Sequence, residues 1–238
     1  MKVYAYFEKQ NLFNLIQALQ ELDSCNALTI GESEKANKSD VCLGEHAKVE
    51  SFINTHKEGF FLHSNSGLYD VSLHDNNFST ICFFSSETID DVCIEKILTA
   101  YANANVEFGY AAEEEEYEYR NRIKVEVAGS EVEAWVGRNL SRYLSGFYYY
   151  TLISSKQLNK KEIDSEVLKV NAVSSLNINE HSILYKFFEN PALWQSEKDR
   201  IDDMCRTSNN VFCKKDVEAE AHKARNVMEF IMKTREWN

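Results

Sequence analysis

Asp199, Asp202 and Asp203 stand at i, i+3 and i+4, a spacing that puts three carboxylates on one helical face, where oxygen ligands can converge on Mg²⁺. A metal-dependent transferase or nuclease needs a second acidic set facing the first. The densest one is Glu113-Glu114-Glu115-Glu116-Tyr117-Glu118, and nothing in the sequence brings it to the aspartates. Arg138 and Arg142, four apart, are spaced to clamp an anion, but in so acidic a chain they suit internal pairing with carboxylates better. His63 and His74 fall on neighbouring runs, toward opposite ends of one antiparallel ladder, so they should not share a metal. The six cysteines contain no C-x-x-C pair, and the nearest two, Cys205 and Cys213, are separated by seven residues. That disfavours zinc and predicts reduced, mostly buried thiols. The sequence holds no P-loop, no G-x-G-x-x-G after a strand, no G-x-S-x-G and no H-E-x-x-H. We therefore expect a protein that is not an enzyme and takes no cofactor or metal. A small metal-dependent enzyme built on Asp199, Asp202 and Asp203 is the alternative, and a non-enzymatic adaptor is a third reading.

The remaining chemistry is charge. Across 238 residues, 26 bases meet 38 acids, a net charge of −12, with 44% hydrophobic and 12% aromatic residues. Such a composition makes a folded core and excludes whole-chain disorder. Residues 1–119 hold 7 bases and 21 acids, 7 − 21 = −14, while residues 120–238 hold 19 bases and 17 acids, 19 − 17 = +2. A field of that sign favours cationic partners and repels nucleic acid and anionic membrane. The exposed carboxylates expected to meet a partner are Glu113, Glu114, Glu115, Glu116 and Glu118, followed by Asp70, Asp75, Asp90 and Asp91. The bland reading of the same run is a helix with acids at its N-terminus and Arg120 and Arg122 at its end, matching the helix dipole.

The elements that must position these residues follow from periodicity. Val3, Ala5 and Phe7 alternate as a strand, and Leu12, Leu15, Ile16 and Leu19 recur at helical spacing. A second helix is expected from His46 to Gly59. The runs Phe60 to His63, Leu68 to His74 and Phe78 to Phe84, separated by Asn65-Ser66-Gly67 and Asp75-Asn76-Asn77, predict an antiparallel meander. Thr88-Ile89-Asp90-Asp91 starts a helix with a stripe of Ile89, Val92, Cys93, Ile97, Ala100, Tyr101 and Ala104. Strands are expected at Val106 to Ala111, Ile123 to Val127, Phe147 to Ile153, Val167 to Val173 and Ile183 to Phe188. Between them a short helix should carry Arg138 and Arg142 and end near Gly146. Asn190-Pro191 caps a further helix, and a last one runs from about Asp216 to Arg235. The fold class is α+β, an antiparallel or mixed sheet with helices packed on its faces. With one proline and no Gly/Ser-rich linker, a single compact domain over 1–238 is expected, or two intimately packed halves meeting near residue 119. The polar N-terminus and the lack of any long apolar run predict a cytoplasmic chain. The oligomeric state stays open.

Phe108-Gly109-Tyr110-Ala111 with the Glu/Tyr/Arg stretch, Trp135-Val136-Gly137-Arg138 with Tyr143, Gly146 and the aromatic strand, and Pro191 with Trp194 form a pattern that resembles a family. Over roughly residues 106–215 the chain is similar to bacterial immunity proteins encoded beside secreted interbacterial toxins, including type VI secretion effectors. The resemblance implies stoichiometric binding and neutralisation of a cognate toxin without turnover. Its motifs are structural rather than catalytic.

Overall fold

In the computed structural model, which describes residues 1–75, 77–85 and 88–237, the chain is α+β, with antiparallel ladders and helices packed alongside them. The alternation of Val3, Ala5 and Phe7 makes β1 (Lys2–Phe7), and Leu12, Leu15, Ile16 and Leu19 form the buried face of α1 (Leu12–Gln20). β2 (Ala27–Gly31) and β3 (Val41–Cys42) precede α2 (His46–Thr55). The meander follows as β4 (Gly59–Ser64), β5 (Leu68–Ser72) and β6 (Ser79–Phe84). Then come α3 (Asp91–Asn103), β7 (Phe108–Ala112), α4 (Glu114–Asn121), β8 (Arg122–Val127), β9 (Ser130–Trp135) and β10 (Tyr150–Ser154). The chain continues through α5 (Ser155–Lys161), α6 (Ser165–Asn171), β11 (Ser174–Asn179), β12 (Ser182–Lys186), α7 (Trp194–Thr207), α8 (Lys214–Ala221) and α9 (Val227–Arg235). Ten strands hydrogen-bond in the order β11-β12-β10-β7-β1-β6-β5-β4-β2-β3, and β8 and β9 pair separately.

Two compact units divide the residues: Met1–Ala111, Thr151–Gln157 and Leu176–Leu184 in the first, and Ala112–Tyr150, Leu158–Ser175 and Tyr185–Asn238 in the second. In the first unit the register stacks apolar residues on one sheet face. Val3 opposes Phe83, Phe83 opposes Tyr69 and Tyr69 opposes Leu62, while Ala5, Ile81, Val71 and Phe60 make the next row. The turn from β4 to β5 is fixed by Ser64, whose Oγ accepts the amides of Ser66 and Gly67 at 3.1 Å. A Cβ on Gly67 would sit 2.6 Å from the Phe84 carbonyl oxygen, so only glycine fits. The next turn includes Asn76, which lies outside the described residues. α3 begins where the Asp90 carboxylate caps the Cys93 amide at 2.8 Å. Its buried residues include Ile94, Ile97, Leu98 and Tyr101, so the stripe is rotated from the expected one and leaves Val92 60% exposed.

The second unit is organised by the β8–β9 hairpin. Ala128 (φ 52) and Gly129 (φ 79) both adopt left-handed backbone, as a tight two-residue connection requires. Ile123, Val125 and Val127 then point to one side and form a core with Val136, Tyr143, Phe212, Val217, Ala221 and Phe230. Three expectations are corrected here. Val167 to Val173 is mainly the helix α6, because Asp164 caps the Glu166 amide at 2.9 Å and Leu168 supplies the buried contact; the strand begins only at Ser174. The C-terminal helix is two helices, since Asn226 caps the Glu229 amide at 2.9 Å and starts α9 afresh. Residues 138–145 form turns rather than a short helix. The backbone of Leu144 is committed to Asn210 and Phe212 at 2.8 Å each, which a helix would not allow. Arg142 donates to the Glu236 carbonyl at 3.0 Å, and the Arg138 guanidinium lies 5.7 Å from the Trp135 ring centroid.

Candidate functional site

The acidic run folds as the sequence implies at its start and not in its middle. Glu114, Glu115 and Glu116 occupy the first turn of α4 and Arg120 the last, so the helix dipole is matched at both ends. Glu114 and Glu115 are exposed, while Glu113 and Glu118 are half-buried, Glu118 pairing with Arg122 at 3.4 Å. Glu116 is fully buried, which overturns its place among the exposed partner-binding carboxylates. The cause is helical spacing: Glu116 and Arg120 share the inner face of α4, with Nε to Oε1 at 3.0 Å. Burial pushes the Glu116 carboxyl up to about 7, with the Arg120 guanidinium holding back part of the rise.

Arg120 also meets α7, where its Nη1 donates to Asp202 Oδ1 at 3.1 Å and Tyr119 donates to Asp202 Oδ2 at 2.8 Å. Lys215 closes the network, 3.5 Å from Asp202 and 2.6 Å from Asp199. Asp203 pairs with Arg206 at 3.2 Å. The three aspartates therefore do not converge on a common point, since each carboxylate answers a cation. Among the described residues no group of three or more His, Cys, Asp or Glu is placed to hold a metal ion. Glu116 and Asp202 are the two carboxylates of this network removed from water, and both are accompanied by the Arg120 guanidinium. Glu116 Oε2 and Arg120 Nη2 nonetheless have no hydrogen-bond partner, so the network is incompletely satisfied.

The second tier lies in the first unit. Asp75 is 82% exposed and pairs with Lys9 at 2.5 Å, which holds its carboxyl below the ordinary range. Asp90 is exposed while capping α3, and Asp91 is half-buried in the first turn. Asp70 sits half-buried on β5, opposite Phe61 and Cys82, with its carboxyl raised by burial and then by Glu34. By unit, the charge is 8 − 17 = −9 in the first and 18 − 21 = −3 in the second.

Three features have no simple sequence signal. Cys25 and Cys93, 68 residues apart in sequence, form a disulfide, which corrects the expectation of six thiols; Cys42, Cys82, Cys205 and Cys213 stand outside any disulfide. Glu107 is buried yet well served, receiving Ser154 Oγ at 3.0 Å, Gln157 Nε2 at 3.2 Å and Lys156 Nζ at 2.7 Å. Lys161 is 3% exposed with its ammonium on the Ser141 carbonyl at 3.1 Å, and burial lowers it to about 8. No helix among the described residues is long and apolar enough to cross a membrane.

These elements define an α+β protein in which Glu116, Asp202 and Glu107 are each held in an ion pair. Among solved structures, the fold is similar to that of the Pseudomonas aeruginosa T6SS protein PA0821, with a TM-score of 0.51 at 12% identity. The match covers 99% of this chain and 81% of that one. No family model and no curated protein matches the chain.

Proposed function

We propose that this protein is an immunity protein that binds and neutralises a cognate, cationic toxin of an interbacterial secretion system, one chain per toxin and without turnover. The observation that carries the reading is the net charge of −9 on the first unit, whose carboxylates stand largely at exposed or half-buried positions. A surface of that sign draws basic proteins and speeds their encounter. The similarity of fold to a T6SS protein supports the setting. Glu113, Glu114, Glu115 and Glu118, with Asp70, Asp75, Asp90 and Asp91, are the carboxylates assigned to the partner, and Glu116 is assigned to folding.

Co-expression is the test. The product of the gene beside this one, expressed alone, should arrest growth, and this chain should restore it while forming an equimolar complex. Protection at amounts far below the toxin would instead point to turnover. A neighbouring gene of housekeeping metabolism, without toxicity, would remove the reading.

A further inference from the structure

On the outer side of the first unit, α1 and α3 leave an open groove of about 510 Å³ between them. Its apolar lining comes from Ala18, Leu22, Val92 and Ala100, and Val92 is 60% exposed, an unusual position for a valine at the start of a core helix. Glu21, Asp23 and Glu95 stand exposed along the same groove; among its described lining residues Lys96 is the cation, and it pairs with Asp23 at 3.3 Å. The disulfide from Cys25 to Cys93 ties the segment after α1 to the first turn of α3 beside Val92, so one end of the groove is held in place covalently. An apolar floor with a fixed wall and a carboxylate rim has the make-up of a small interface: a central contact shielded from water, with charges around it.

We propose that the α1/α3 groove docks a basic amphipathic segment of the protein partner, one that presents an aliphatic side chain to Val92 and Leu22 and flanks it with Lys or Arg facing Glu21, Asp23 and Glu95. This rests on the toxin-binding reading and says where the toxin is held. Charge complementarity selects this occupant. A second copy of the chain would bring a net charge of −12 against the same carboxylates. The neighbouring groove between α1 and α2, with Phe13, Ile16, Leu43 and Val49, has one carboxylate, Glu50, and so no comparable preference of sign. The exposed face of α9, with Val227, Met228, Ile231 and Met232, has both Glu229 and Lys233 on its helix and selects no partner by charge.

Two arms test the proposal. In the first, the full chain is titrated with a short synthetic helix that has leucines on one face and lysines on the other, and with its glutamate counterpart, while backbone amide resonances are followed. The lysine helix should bind saturably, shifting Ala18, Leu22, Val92 and Ala100. Glu95→Lys or added salt should weaken it by roughly tenfold. Val92→Asp, at an exposed position, should eliminate binding with the melting temperature unchanged, and the glutamate helix should not bind. No saturable binding, equal binding of both helices, or shifts confined to the α1/α2 groove would overturn the proposal. In the second arm, the toxin encoded beside the gene replaces the peptide. Failure of the wild-type chain to bind it removes the neutralisation reading and leaves the first arm to decide the groove. Toxin binding that survives both Val92→Asp and Glu95→Lys removes the groove and leaves the neutralisation reading intact.

Discussion

In the first unit Glu21, Asp23 and Glu95 stand in water along an apolar groove, whereas in the second the densest acidic run of the chain sends Glu116 inward to Arg120. Glu107 in the first unit and Glu116 in the second are both buried, and their surroundings differ. Glu107 receives three side-chain donors, while Glu116 has one side-chain partner for Oε1 and none for Oε2. Density of charge along a sequence is therefore a poor guide to charge at a surface. Four consecutive glutamates must turn through most of a helical circuit, so one of them meets the core. Exposed carboxylates at the end of α1, in the segment after it and on α3 carry no signal singly in the sequence, yet they line one groove.

The sharpest way to break the comparison is to remove the cation of the second unit. Arg120→Met leaves Glu116 and Asp202 buried without their shared guanidinium and should cost about 3–5 kcal/mol, read as a fall in melting temperature. If the loss matches that of an exposed ion pair such as Lys48 with Glu45, the network is not buried in solution. Tyr148→Ala should cost a similar amount, about 3–5 kcal/mol, because the ring is fully buried and its hydroxyl donates to Asn121 Oδ1 at 2.9 Å. Trp194→Ala should cost less, as Trp194 is only half-buried against Tyr119.

The pH dependence of stability sharpens the same contrast. Glu116 has a folded value of about 7 against an ordinary 4.5, so it favours the folded state at low pH and that contribution is lost as pH rises from 4.5 through 7. Lys161 runs the other way. Lowered from 10.5 to about 8, it favours the folded state at high pH, and its contribution is lost as pH falls from 10.5 through 8. Each unit of pH in these windows is worth about 1.4 kcal/mol per group. Denaturant titrations across pH should show both slopes, with Glu116→Gln flattening only the acidic window and Lys161→Met only the alkaline one. A wild-type curve flat in both windows would mean that neither group is buried as described.

A smaller effect concerns the first unit. Alkylation of the unfolded chain without reductant should modify Cys42, Cys82, Cys205 and Cys213, and reduction should add Cys25 and Cys93. Modification of all six cysteines before reduction would show the groove wall to be untethered.

Much of the architecture is legible in the sequence because it is local. Alternation identifies the meander and β8, Asp90 caps the start of α3, and Asn190 caps the 3-10 turn that leads into α7. The valines of α6 mislead because Val167, Val170 and Val173 suit a strand by type but a helix by spacing, and three-residue periodicity in so short a segment is weak. β9 was readable from Gly129 and the alternation of Val132 and Ala134 with Glu131 and Glu133, yet its half-exposed residues give no strong apolar signal. The candidate site is hardly legible at all. The i,i+4 spacing of Glu116 and Arg120 is local, but the approach of Arg120 to Asp202, 82 residues away, and the meeting of α1 with α3 at the groove are encoded by no local pattern.

On this reading exposed carboxylates of both units, with Glu21, Asp23 and Glu95 at the groove foremost, face the partner while Glu116 serves the fold. The most direct measurement is the association rate of the adjacent-gene toxin across a salt series, for the wild type, for a Glu21→Gln, Asp23→Asn, Glu95→Gln variant and for a Glu116→Gln variant. The account predicts that association slows with salt in the wild type, that the triple variant associates roughly tenfold more slowly with a shallower salt dependence, and that Glu116→Gln binds like the wild type at a pH where it is folded. Rates indifferent to salt and to the triple variant would contradict it, and would assign the acidic surplus of the first unit to solubility alone.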